Sequence, residues 1–275
     1  AADKMDPFFY TVIVAGAIAG ASTGLLGVYI VGMRMPFIGT CISHAAMAGI
    51  VFAILFGVHP MAGAILFSVA TSAALAFIPP EKSTLQSNTG LAILFSLMLG
   101  LTFLALGLVE GSRSEVLGIL WGSILFVHPK TVYILLAVAV LLGIFIYLFN
   151  KELKTLLFSR SLASATGVHQ GLVYCLFLAL SGLTLSINLK LIGGLMIFSL
   201  ITNPAAAAYQ LCSSYRTVLI TSAFLGALSA VAGFVISFYM DLPTGACIVL
   251  VSVFLFLISV LYRRHKPMPA EHRNN

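Results

Sequence analysis

Apolar side chains fill long stretches of this chain at almost every position, with neither the two-residue alternation of a half-buried strand nor the polar stripe of a surface helix. The run 131–149 is apolar on every face it could present. A helix that is hydrophobic all round belongs in a membrane or a large core. About 20 such residues are needed to cross roughly 30 Å of hydrocarbon. Nine stretches approach or reach that length: 8–31, 41–57, 61–78, 88–109, 131–149, 171–187, 191–209, 217–239 and 245–262. A tenth, 116–126, is too short to span and reads as a re-entrant or interfacial helix. A membrane β-barrel would show alternating polar and apolar positions, and these runs do not. The expected fold class is all-α, a polytopic integral membrane helical bundle.

Composition agrees. Of 275 residues, 60% are hydrophobic and 8% charged, and the mean hydropathy is +1.11; an ordinary soluble domain carries about 25% charged residues. So few charges cannot clothe a water-exposed surface. A single transmembrane domain is expected over 6–265, with 1–5 a remnant ahead of a native start and 266–275 a cytoplasmic tail. The first apolar run is long enough to remain as a span rather than a cleaved signal.

The net charge of +6 is a topology signal, not one for nucleic acid, because the basic residues gather between spans and at the C-terminus. Cytoplasmic loops collect Lys and Arg. With the N-terminus outside and the C-terminus inside, the inner side holds Arg34, Lys82, Lys151, Lys154, Arg160, Arg216, Arg263, Arg264, Lys266 and Arg273, and the outer side holds Lys4, Arg113, Lys130 and Lys190. That division, 10 against 4, accounts for all 14; the opposite orientation would invert it.

Candidate chemistry is sparse. Cys41, Cys175, Cys212 and Cys247 lie in apolar segments without a CxxC pair, so no disulfide framework or zinc knuckle is indicated. Gly16, Gly20 and Gly24, like Ser222, Gly226 and Ala230, recur every fourth residue and offer close backbone approach. Packing within one subunit is the preferred reading of these ladders, a dimer interface the other. Among the acids only Asp241 stands close to apolar segments on both sides; the break Asp241-Leu242-Pro243-Thr244-Gly245 either lines a solute path or forms a tight outer turn. Early in the second span, Thr40, Cys41 and His44 fall on one helical face and would present a hydroxyl, a thiol and an imidazole together. Imidazole and thiolate suit borderline or soft transition metals, while a lone buried His is commonly a hydrogen-bonded structural residue.

The segment from Arg34-Met35 through Gly39 to Ser43-His44-Ala45 resembles the signature of the bacterial metal ABC permeases, the zinc, manganese and iron uptake family, whose second span carries Gly-Asp-x-x-x-His-Ala. Leu191-Ile192-Gly193-Gly194-Leu195-Met196 running to Asn203-Pro204-Ala205-Ala206-Ala207-Ala208, and Asp241-Leu242-Pro243-Thr244-Gly245-Ala246, are similar to that family's later motifs. The similarity covers most of residues 10–262. It implies a homodimeric permease in a bacterial inner membrane, fed by an extracytoplasmic solute-binding protein and driven by separate ABC ATPase subunits. It also implies a transport subunit, not an enzyme, that binds no cofactor of its own while the transported metal passes and ATP sits on the partner. No lysine here follows the glycine required by GxxxxGK[ST]. The family's ATPase-docking loop maps to about 159–167, with Ser159, Arg160, Ala163 and Gly167 as contacts. His44 would be the principal path ligand, with Thr40, Cys41, Asn88 and Asp241 as further path residues.

The chain departs from the family pattern where Thr40, Asn88 and Ser123 stand at usual Asp positions. A bare divalent cation in low dielectric needs compensating charge or strong ligands. A softer ion, a neutral metal chelate and weak cation binding all remain open. A secondary carrier or channel is the competing class; its ion-coupling carboxylate would have to be Asp241. A membrane enzyme lacks support, since no paired acids and no nucleophile with a base occur at helical spacing.

Overall fold

A computed structural model describes residues 7–77, 84–109, 129–158, 170–194 and 197–265. The stretch 116–126, Ser123 and the loop residues Ser159, Arg160, Ala163 and Gly167 lie outside the described residues. Those described form α1 (Pro7–Gly32), α2 (Phe37–Leu55), α3 (Pro60–Phe77), α4 (Thr84–Leu108), α5 (Pro129–Leu148), α6 (Asn150–Phe158), α7 (Gln170–Ile192), α8 (Ile197–Leu211), α9 (Tyr215–Met240) and α10 (Thr244–His265). No strand occurs among them.

Each of the nine expected spans meets one of these helices. By length and composition, seven are able to cross a membrane: α1, α2, α4, α5, α7, α9 and α10. The other two, α3 and α8, are shorter. The boundary between the sixth and seventh expected spans moves: α7 runs on to Ile192, and Gly193 at φ 91° breaks the chain before a 15-residue α8. Only glycine takes that conformation without steric cost. Pro204 inside α8 removes a further backbone donor.

Burial sorts the helices. The apolar stretches of α2 and α7 are 78% and 72% buried, whereas those of α4 and α5 are only 17% buried and expose Ile93, Phe103, Leu104, Tyr133 and Tyr147. In a bilayer such apolar faces contact lipid at no hydrophobic cost. α2 packs against α3, α4 and α7; α1 packs against α8 and α9, which in turn hold α10.

The two small-residue ladders are each other's partner. A Cβ on Gly20 would strike the Gly226 carbonyl, one on Gly226 would strike that of Gly20, and one on Gly24 would meet Ser222 O at 2.5 Å. At this spacing the Ser222 hydroxyl donates to Gly24 O at 2.7 Å, between helices. A second polar tie joins α7 to α1, where buried Asn188 donates to Ser22 Oγ at 3.0 Å. The lone amide in an apolar run was its only sequence signal.

Basic residues collect at one end of the bundle. Arg34 follows α1; Arg216 begins α9; Arg263, at the end of α10, donates to Gln210 of α8 at 2.5 Å; Lys154 of α6 stacks on Tyr215.

Candidate functional site

The entry into α2 is set by a sharp reversal. Arg34 adopts φ 58°, the Arg34 amide donates to Val31 O at 3.0 Å and that of Met35 to Ile30 O at 3.3 Å, so the last carbonyls of α1 are satisfied across a left-handed cap. Pro36 then stands just before α2, where its missing N–H is not needed. The same device closes α9: Asp241 has φ 52°, the Leu242 amide bonds back to Ser237 O at 3.2 Å, and Pro243 follows two residues on. The Ser237 hydroxyl reaches Leu242 O at 2.6 Å and Thr244 Oγ1 at 2.8 Å. Asp241 is exposed in this turn. The break between α9 and α10 is thus a left-handed turn.

Along α2, residues 41 to 51 are buried without interruption. Thr40 and His44 lie one turn apart on one face, and both carry a buried polar atom with no hydrogen-bond partner, Thr40 Oγ1 and His44 Nδ1. The imidazole meets Phe95 of α4 edge-on, with ring centroids 4.8 Å apart and planes at 81°. Leaving a buried donor or acceptor unmade costs about 1–3 kcal/mol. Two such atoms a turn apart mark a place where a solute or water would supply the missing partners.

Cys41 is placed differently. Its thiol donates to Leu91 O of α4 at 3.0 Å and is fully buried, so the sulfur ties α2 to α4. Asn88 stands on α4 one turn before Leu91, its side chain outside the described residues. The structure thus brings Cys41 and His44 to the α2–α4 contact, with Thr40 one turn before His44 on α2.

Met47 packs beside these residues in an apolar cluster with Ile50, Ala64 and Leu189, a contact that sequence reasoning missed. It follows His44 by three positions and is 2% exposed. Its thioether occupies the space that a side chain at Gly194 would need, beside the break between α7 and α8. Helical spacing from His44 was the available signal, but a methionine in an apolar run reads equally as packing.

Among the described residues, no three of His, Cys, Asp and Glu gather as a metal cluster. The described carboxylates are Glu152 in α6 and Asp241 in its exposed turn. Among the described residues, no carboxylate therefore lies on the face carrying Thr40 and His44.

A multi-pass helical membrane protein with unpartnered polar atoms on one of its most buried helices is the class this architecture defines. Residues 5–263 match the ABC 3 transport family, and the chain belongs to it. The manganese import system permease protein ScaB of Streptococcus gordonii is 32% identical over 253 residues, covering 90% of this chain and 87% of that protein. The high-affinity zinc uptake system membrane protein ZnuB of Haemophilus influenzae is 26% identical, covering 94% and 99%. A solved structure, PsaBC from Streptococcus pneumoniae in complex with Fab, superposes with a TM-score of 0.82 at 27% identity, covering 95% of each chain.

Proposed function

We propose that this chain is the membrane permease of an ATP-driven importer that moves a transition-metal ion, zinc or manganese, from an extracytoplasmic binding protein into the cytoplasm. The observation that carries the reading is the pair of buried, unpartnered atoms, Thr40 Oγ1 and His44 Nδ1, on α2. A borderline cation would take the imidazole as its ligand, with Thr40, Cys41 and Asn88 beside it. Two copies form the path, separate ATPase chains supply ATP hydrolysis, and alternating access exposes one site to each side in turn. In this reading the basic end of the bundle faces the cytoplasm of a bacterial inner membrane, and the ATPase contact at Ser159, Arg160, Ala163 and Gly167 is taken from the family resemblance. Asp241 then caps the turn at the opposite end.

A second cargo, a metal carried as a neutral chelate, is favoured because no described carboxylate on the α2 face offsets a bare double charge. An ion-coupled carrier is disfavoured on the same ground.

The test is uptake in proteoliposomes of the permease reconstituted with its ATPase chain, across zinc, manganese, iron and nickel, for wild type and His44→Ala. Loss of uptake with normal expression is expected. Wild-type uptake in that variant would remove His44 from the path, and failure of any ATPase chain to co-purify would favour the carrier.

A further inference from the structure

We propose that Lys154, Tyr215 and Tyr29 form a link that carries displacement of α6 into the α1–α9 pair, with Lys154 as the positioning residue that couples ATP hydrolysis to transport. This rests on the reading of the chain as an ATP-driven permease. α6 is a nine-residue helix whose Leu153 and Leu156 are buried while Lys151 is exposed, so it lies with one face against the bundle. Its Lys154 ammonium stands 4.6 Å from the centroid of the Tyr215 ring. Tyr215 opens α9, and its hydroxyl lies 2.6 Å from that of Tyr29, a fully buried residue of α1. Tyr29 is braced edge-on by Phe177 of α7 at 5.2 Å.

A second contact runs beside the first. Gly32 of α1 leaves room that both Leu157 of α6 and the Tyr209 hydroxyl of α8 fill, and that hydroxyl donates to Val28 O at 2.8 Å. α6 therefore bears on α1 at Gly32 and on α9 at Tyr215. These helices are the two locked together by the Gly20–Gly226 approach. Close-packed contacts of this kind transmit displacement along their line of approach because packed interiors do not compress. The Leu157 contact is apolar and would tolerate sliding; the ammonium over the ring is the directional part.

The test reconstitutes the permease with its ATPase chain in vesicles and measures ATP hydrolysis and manganese or zinc uptake in the same sample. Lys154→Met should keep the ATPase chain on purification and hydrolyse ATP within about twofold of wild type, while metal moved per ATP falls about fivefold, within the span of a cation–π contact. Lys154→Arg, which preserves the cation, should restore the ratio. A wild-type ratio in Lys154→Met overturns the link, as does loss of the ATPase chain from that variant, which would put Lys154 in the docking surface itself. Hydrogen exchange on the permease alone provides a readout independent of transport. Exchange in 150–158 and the first turn of α9 should quicken in Lys154→Met while 244–265 stays unchanged, and an unaltered pattern also overturns the link. Absence of ATP-driven uptake in the wild type would instead sink the functional reading.

Discussion

Gly226→Ala isolates what the α1–α9 seam contributes. Alanine is the better helix former by about 1 kcal/mol, so propensity alone predicts a more stable protein. At Gly226 the added methyl would press on the backbone carbonyl of Gly20, and a backbone atom cannot swing away. Overpacking of that kind costs about 1–3 kcal/mol. Parting the helices also strains the Ser222 to Gly24 hydrogen bond, a class of bond worth about 0.6 kcal/mol in membranes. The net expectation is a loss of about 1–2 kcal/mol. Gly100 in α4 and Gly143 in α5 have nothing within 4 Å of an added Cβ, so Gly100→Ala and Gly143→Ala should gain up to about 1 kcal/mol. Denaturation of the purified protein in detergent, followed by circular dichroism against temperature or SDS fraction, reads the separation of about 2–3 kcal/mol between the two kinds of site. If Gly226→Ala proved as stable as Gly100→Ala, the close approach of α1 and α9 would be wrong.

Thr40→Val replaces an unpartnered hydroxyl with a methyl. Stability in the same denaturation assay should hold or rise by about 1 kcal/mol while metal uptake drops several-fold; a clear destabilisation would show that the hydroxyl has a structural partner after all. Arg34→Gly and Asp241→Gly each remove a left-handed non-glycine residue. Relief of about 1–2 kcal/mol less the added unfolded-state entropy of about 0.5–1 kcal/mol leaves a gain of about 0.5–1 kcal/mol per site, read as a raised denaturation midpoint. A loss at either position would mean its side chain does more than cap a helix.

Legibility in the sequence differed from feature to feature. The helices could be read because lipid removes the choice: a backbone in hydrocarbon must satisfy its own hydrogen bonds, so each long apolar run is a helix. The Gly16–Gly24 and Ser222–Ala230 ladders were visible as small residues every fourth position, but their mutual pairing was not, since spacing names a face without naming its partner. At the site, the shared face of Thr40, Cys41 and His44 followed from helical geometry. That the Cys41 thiol is engaged with Leu91 O while Thr40 and His44 keep unpartnered atoms depends on where α4 lies.

By itself the sequence determined an all-helical membrane bundle, the break at 241–245, and the scarcity of charge along its apolar runs, because these depend on composition and local backbone chemistry. Tertiary structure decided that the two ladders grip each other, that Asp241 caps a turn, that Met47 fills the space at Gly194, and that α6 bears on α1 and α9. Each of those is a contact between residues distant along the chain, and in a protein apolar on nearly every face, hydrophobic pattern cannot say which face meets which.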